Sequence, residues 1–128
     1  MFEIQKAVIR RNGTYLVLLR APTAAYFPNC WDFPGGKCED DEDPHDAVER
    51  EVREETSLQV RAERVAGVFE FDLDHVGHPT HRFTLHDVRL LNDGEVSLSS
   101  EHRAYAWATE DEVLRLQTEP YISRYFGR

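Results

Sequence analysis

Glu51, Glu54 and Glu55 stand at i, i+3 and i+4 in the stretch Arg50-Glu51-Val52-Arg53-Glu54-Glu55. On a helix, at about 100° per residue, all three project from one face and can converge on a point. Carboxylates that close repel one another unless a cation sits between them. Hard oxygen donors suit Mg2+ or Mn2+, and Mg2+ is commonly held by a few carboxylates together with substrate phosphates. Just upstream, Trp31-Asp32-Phe33-Pro34-Gly35-Gly36-Lys37 contains a Pro-Gly-Gly turn, so a loop of bare backbone leads into the row of carboxylates. Arg20 and Lys37 flank this turn and the long connection before it, where they could donate charge-assisted hydrogen bonds to phosphate. The chemistry implied is metal-assisted work on a phosphate compound.

The elements that must position these groups can be read from pattern. Asp43 can cap a helix whose first position is Pro44. Ala47, Val48 and Val52 give it an apolar side next to the acidic one, and Arg50 and Glu54 form an i, i+4 pair. Glu3 to Arg11 and Thr14 to Arg20 read as strands joined by Asn12-Gly13, a strong hairpin signal. Ala21 to Cys30, with Pro22 and Pro28, reads as an exposed loop of functional length. Gln59 to Leu73 reads as one long strand or two broken near Gly67, and Asp74 to Thr80 as a turn. His81 to Leu91 alternates as a returning strand, and Arg103 to Ala108 is another. Thr109 can cap a short helix over Glu110 to Leu116, and Pro120 to Phe126 reads as a final helix. Together they predict an α/β sandwich with a mixed β-sheet and a single domain over residues 1–128.

Composition narrows the partners. The chain of 128 residues is 41% hydrophobic and 30% charged, with a net charge of −9. Residues 39 to 55 hold ten acids (Glu39, Asp40, Asp41, Glu42, Asp43, Asp46, Glu49, Glu51, Glu54, Glu55) against Arg50 and Arg53, a balance of −8. Nucleic-acid polymers, which are bound by neutralising many phosphates with Lys and Arg, are excluded as partners. A small phosphate substrate would enter such a field only with metal ions masking it. No apolar run reaches the roughly 18 residues of a membrane span, and the start Met1-Phe2-Glu3-Ile4-Gln5-Lys6 lacks a secretory pattern, so a cytoplasmic location is expected. Cys30 and Cys38 are read as ordinary thiols. His75, His78 and His81 recur every third residue around Gly77 and Pro79 and are read as a polar hairpin tip, because such a turn would splay the rings.

The spacing in the central stretch also resembles a known family. The Nudix hydrolase signature, G-x5-E-x7-R-E-U-x-E-E-x-G-U with U apolar, is met by Gly36, Glu42, Arg50, Glu51, Val52, Glu54, Glu55 and Leu58. Ser57 departs, standing where the family has glycine. If that glycine is a left-handed helix cap, Ser57 strains the helix end by roughly 1 kcal/mol without removing a ligand. The segment from Trp31 to Lys37 resembles the MutT-like branch. The motif spans about a quarter of the chain.

This resemblance implies a Nudix-type α/β/α sandwich and a Mg2+-dependent (or Mn2+-dependent) hydrolase of nucleoside diphosphate-linked compounds. It makes Glu51, Glu54 and Glu55 the metal ligands, with the Gly36 carbonyl as a further oxygen. Arg50 takes an orienting role, and Glu42 supports Arg50. MutT-like enzymes carry another carboxylate at a similar distance before a tryptophan, which singles out Glu101, six residues before Trp107, as a fourth ligand or the general base. His102, an imidazole next to Glu101, is a rival base. Glu54 or Glu55 would hold the attacking water, with Glu101 taking its proton. The most specific expectation is a MutT-like nucleoside triphosphate pyrophosphohydrolase, for oxidised or ordinary nucleotides. Thr118 before Glu119-Pro120, where MutT has a base-reading asparagine, speaks against the guanine-selective version. ADP-ribose, nucleotide sugars and dinucleoside polyphosphates stay open as substrates, because selectivity lies outside the motif. A non-catalytic nucleotide sensor and an acidic cation-binding protein are the competing classes. The first has no need of the metal constellation, and the second leaves Arg50 and Gly36 unexplained. The expected assembly is a monomer or homodimer.

Overall fold

In the computed structural model, which describes all residues Met1–Arg128, eight strands and three helices follow in the order β1 (Phe2–Val8), β2 (Arg10–Arg11), β3 (Thr14–Arg20), β4 (Trp31–Asp32), β5 (Gly35–Lys37), α1 (Pro44–Thr56), β6 (Val60–Phe71), β7 (His81–Leu90), β8 (His102–Ala108), α2 (Glu110–Leu114) and α3 (Pro120–Tyr125). A 3-10 turn over Asp74–Val76 links β6 to β7. None of the helices is long and apolar enough to cross a membrane.

The strands form two sheets, and the expected mixed sheet is one of them. The first, in the order β5-β1-β7-β6, is mixed: β1 and β7 run parallel, and the other pairs are antiparallel. The second is antiparallel and centred on β3, which pairs with β2, β4 and β8. The expected strand from Glu3 to Arg11 is accordingly split at Ile9, with β1 in one sheet and β2 in the other. Ile9 itself is buried, and its carbonyl accepts from Leu16 N at 3.0 Å. The chain thus changes partners without leaving the core. Asn12 and Gly13, both at positive φ (52° and 77°), close the hairpin from β2 to β3 as an Asn-Gly turn does.

Alternation along the strands distributes the apolar residues to two sides. Ile4, Val8 and Val17 join Phe33, Phe83, Leu85, Val113, Tyr121 and Ile122 in one cluster. Ala7, Leu16 and Leu18 join Val48, Val52, Leu58 and Val60 in the other. The first core lies against α2 and α3 and the second against α1, which gives the α/β/α layering. Helix α1 begins as its sequence predicts, with Asp43 accepting from His45 N at 2.8 Å and Pro44 in the first turn. It ends at Ser57, which sits in the left-handed region at φ 65°, ψ 4° and donates from its N–H to the Arg53 carbonyl at 3.0 Å. Strand β6 is continuous, with register shifts between Ala62 and Arg64 and between Val65 and Gly67. Thr109 and Glu112 form the capping box of α2, which stops at Leu114, two residues before the expected end.

Candidate active site

The Pro-Gly-Gly turn meets the acidic face of α1 at the edge of a cleft of about 570 Å³. Two contacts fix that meeting. Gly35 N donates to Glu55 Oε1 at 2.8 Å. A Cβ on Gly36 would come within 2.7 Å of the Glu51 carboxyl carbon, so any larger residue there would displace the Glu51 carboxylate from its place against β5.

The three helix carboxylates do not share one environment, and they do not meet at one point. Arg50 is the reason. Its Nε and Nη2 grip Glu42 at 2.7 and 2.9 Å, a two-pronged contact, while Nη1 donates to Glu51 Oε1 and Glu54 Oε2, each at 3.1 Å. Glu54 is thereby drawn onto Arg50 at the exposed rim, whereas Glu51 still lines the cleft. Glu42 supports Arg50 as expected. Glu55 is only 3% exposed, and that burial pushes its carboxyl well above the usual range despite the opposing Lys6 ammonium. Burial raises Glu51 as well, with Arg50 opposing.

Instead of its two helix neighbours, Glu55 gathers Glu101 and His102, and one donor atom from each of the three lies within 4.8 Å of the others. Glu101 is exposed at the cleft edge. His102 is buried with Nε2 on Asp32 Oδ1 at 3.1 Å, and its buried Nδ1 has no partner. A divalent cation fits this corner, which offers converging carboxylates and a buried nitrogen without a partner.

Three residues of the site were not singled out from sequence. Lys6, Asp32 and Glu119 are all buried. Lys6 Nζ reaches Asp32 Oδ2 at 3.0 Å and the Gly35 carbonyl at 3.4 Å, and Arg20 Nη1 reaches the same Asp32 oxygen at 3.4 Å. Burial alone would raise Asp32, but Lys6 and hydrogen bonds from His102 and Glu119 hold it below the usual carboxylate range. Burial and the neighbouring Asp32 push Glu119 the other way, well above that range, against the pull of Lys6. The two carboxyls are thus pushed apart, Asp32 toward its charged form and Glu119 toward its neutral one, and Glu119 Oε2 is buried and unpartnered. The available signal was Lys6 itself, a lysine inside a strand otherwise read as core.

The opposite wall is aromatic. Tyr26 packs edge-on against Phe2 at 5.3 Å and His81 at 5.1 Å, and Phe27 meets His81 at 5.7 Å. His81 is thus no part of a polar tip: it is 2% exposed, and its Nδ1 lies 2.8 Å from the Pro79 carbonyl. His75 remains exposed, and His78 rests on Tyr26. Arg20 and Lys37 both line the cleft. Arg20 Nε donates to the Tyr26 carbonyl at 3.0 Å, and the Lys37 ammonium lies 3.7 Å from the Phe2 ring centre. Cys30 and Cys38 are free thiols.

Comparison with known proteins places this geometry. The family model of the NUDIX domain matches residues 5–126. The chain is 34% identical over 123 residues to a MutT-like protein of Streptomyces ambofaciens, covering 95% of this chain and 72% of that one. It is 31% identical over 121 residues to the CTP pyrophosphohydrolase of Escherichia coli (strain K12), covering 94% and 84%. Over 107 residues it is 36% identical to diphosphoinositol polyphosphate phosphohydrolase 3-alpha of Mus musculus, covering 83% of this chain and 65% of that protein's length. Among solved structures, a MutT protein from Methanosarcina mazei Go1 shares the fold with a TM-score of 0.88 at 29% identity, covering 99% of this chain and 91% of that one. A match that leaves out only the first four and last two residues, on a fold shared end to end with a MutT protein, makes this chain a member of the Nudix family, hydrolases that act on pyrophosphate bonds.

Proposed function

We propose that this Nudix hydrolase is a MutT-like nucleoside triphosphate pyrophosphohydrolase dependent on Mg2+ or Mn2+. One observation carries the reading: a single cleft joins an acidic wall (Glu51, Glu55, Glu101) to an aromatic wall (Phe2, Tyr26, Phe27), with Arg20 and Lys37 lining the same space. A nucleotide has the matching parts, a polyphosphate and a flat base. The near full-length likeness to a MutT-like protein supports the same substrate class.

Glu55, with Glu51, the Gly36 carbonyl and Glu101 around it, would hold the cation, and Glu54 would join them on leaving Arg50; the cation when bound would polarise phosphoryl oxygens and offset the charge of the leaving phosphate. Arg50 keeps the acidic face in register through Glu42, Glu51 and Glu54. Arg20 and Lys37 donate to the phosphate oxygens. Glu54 or Glu55 orients the attacking water, and Glu101, exposed beside Glu55, serves as a fourth ligand or takes the water's proton. A bond forms from the water oxygen to one bridge phosphorus, and the bond from that phosphorus to the bridging oxygen breaks. Water exclusion around the base falls to Tyr26 and Phe27.

A second reading concerns the base. Glu119 lies on the cleft lining with a buried, unpartnered Oε2, and so offers a base edge a polar contact that the aromatic side chains do not. The likeness to a CTP pyrophosphohydrolase favours trying cytidine nucleotides early.

Release of phosphate or pyrophosphate from dNTPs, CTP, 8-oxo-dGTP, ADP-ribose, nucleotide sugars and diadenosine polyphosphates tests the reading, with Glu55→Gln as the control. The expected result is turnover of nucleoside triphosphates, lost in the control. Turnover confined to another class would overturn the triphosphatase reading, and binding without any turnover would make the protein a nucleotide sensor.

A further inference from the structure

The corner where Glu55, Glu101 and His102 meet contains one feature that the proposed reaction leaves unused. Nε2 of His102 faces Asp32 at 3.1 Å, and Asp32 is anchored by Lys6 at 3.0 Å and Arg20 at 3.4 Å. Asp32 and the His102 side chain are fully buried. An ionised, wholly buried carboxylate on Nε2 keeps the ring proton there and leaves Nδ1 with a lone pair. That Nδ1 is itself buried, and no donor reaches it. The ring thus has a carboxylate on one nitrogen, as metal-binding imidazoles commonly do, and leaves the other nitrogen without a partner. The 4.8 Å limit within which His102, Glu55 and Glu101 offer their donor atoms is close to the span of a shared ion, since ligands around a cation of magnesium's size stand about 3 to 4 Å apart.

We propose that His102 Nδ1 is a nitrogen donor to the divalent cation held by Glu55 and Glu101, with Asp32 as the residue that orients it, and that this mixed set selects Mn2+ over Mg2+. The inference rests on the reading of the cleft as a metal-dependent hydrolase site. Its chemical basis is that Mg2+ holds to oxygen ligands and keeps its waters, whereas imidazole is a better ligand for transition ions. A site with oxygen donors alone would discriminate much less between the two.

The test uses the full chain, stripped of metal and loaded with Mn2+, and reads pulsed electron spin resonance for coupling of the manganese to 14N. Coupling is expected in the natural protein and is expected to vanish in His102→Gln. Calorimetric titration should show the Mn2+ affinity of His102→Gln falling by about tenfold or more, with Mg2+ affinity changing by less than about threefold. Bound Mn2+ without 14N coupling overturns the proposal, as does an unchanged ratio of the two affinities in a folded variant. If His102→Gln fails to fold, the spectrum of the natural protein decides alone. Turnover of nucleotides without 14N coupling would remove the nitrogen donor and leave the hydrolase standing. Coupling lost with His102 but no turnover on any nucleotide would uphold the donor and remove the substrate reading.

Discussion

The two walls of the cleft are built in different ways. Apart from Glu101, the acidic wall comes from one continuous piece of chain, where Gly36, Glu42, Arg50, Glu51, Glu54 and Glu55 are related by a turn, a helical period and the grip of Arg50. The aromatic wall and the floor are assembled from separate places: Phe2 and Lys6 on β1, Arg20 on β3, Tyr26 and Phe27 in the loop, His81 on β7 and Glu119 before α3. Moving one residue of the first wall disturbs its neighbours through α1. On the proposed reading, the reaction type belongs to the first wall and the choice of substrate to the second.

The largest effect expected from this division is on the acidic side. Glu55→Gln keeps the shape and an oxygen for Gly35 N, but removes the charge a cation needs. Steady-state kinetics should show kcat lowered by about 10³-fold or more, with KM within a few-fold and the fold intact by circular dichroism. Near-normal turnover would place the chemistry elsewhere. On the floor, Glu119→Ala should act differently. Loss of a buried hydrogen-bonding acid should raise KM for the preferred nucleotide by about tenfold, with kcat changing less, and should narrow the discrimination between bases. A uniform loss of kcat across all nucleotides would mean that the floor serves the reaction and that the two walls are not separable.

A third region serves as a control because it touches neither wall. His86 is 1% exposed, with Nε2 on Gln5 Oε1 at 2.7 Å. Burial, with a smaller push from His45, holds its pKa below the ordinary 6.5 against the pull of Asp43. A histidine lowered in the folded state binds its proton more readily when unfolded, so its contribution is present above the unfolded pKa and fades as pH falls through the folded one. Glu119 works in the opposite sense: with a raised folded pKa, its contribution is greatest at low pH and fades as pH rises. Thermal melts at about pH 7.5 and about pH 5.5 should therefore show His86→Asn losing less on acidification than the natural protein, by up to a few degrees. An identical loss in both proteins would show that His86 does not titrate in this window.

The same contrast explains what could be read from the sequence. Helix α1 was legible because its chemistry repeats within a few residues: the carboxylate spacing, the Asp43 cap, Pro44 and the left-handed Ser57 all appear where local pattern puts them. The Asn12-Gly13 hairpin was legible for the same reason. The floor was not, because a buried charge declares itself only through its partner. Lys6 and Asp32 are 26 residues apart in the chain, and Asp32 and His102 are 70 apart. His81 looked polar beside His75 and His78 because nothing nearby in sequence reveals Phe2 and Tyr26 packing on it. The split at Ile9 was hidden too, since an apolar run reads alike whether its hydrogen bonds go to one sheet or two. Glu54 was legible as an acid on the active face and as the i, i+4 partner of Arg50; that this pairing separates it from Glu55 was not.

The smallest effect is expected where the chain departs from the family signature, at the end of the acidic wall. Ser57 adopts φ 65°, a conformation in which a Cβ costs roughly 1 kcal/mol relative to glycine. Two terms reduce the gain from Ser57→Gly. Glycine makes the unfolded chain more flexible, and the contact from Ser57 Oγ to the Ser97 carbonyl, weak at 3.5 Å, is lost. The net expectation is stabilisation of about 0.5 kcal/mol, or a rise in Tm of one to a few degrees by calorimetry. Ser57 is exposed and lies outside the cleft lining, so kcat and KM should be unchanged. A lower Tm in Ser57→Gly would show instead that the Ser97 contact matters more than the strain, because the backbone bond from residue 57 to Arg53 is available to either residue.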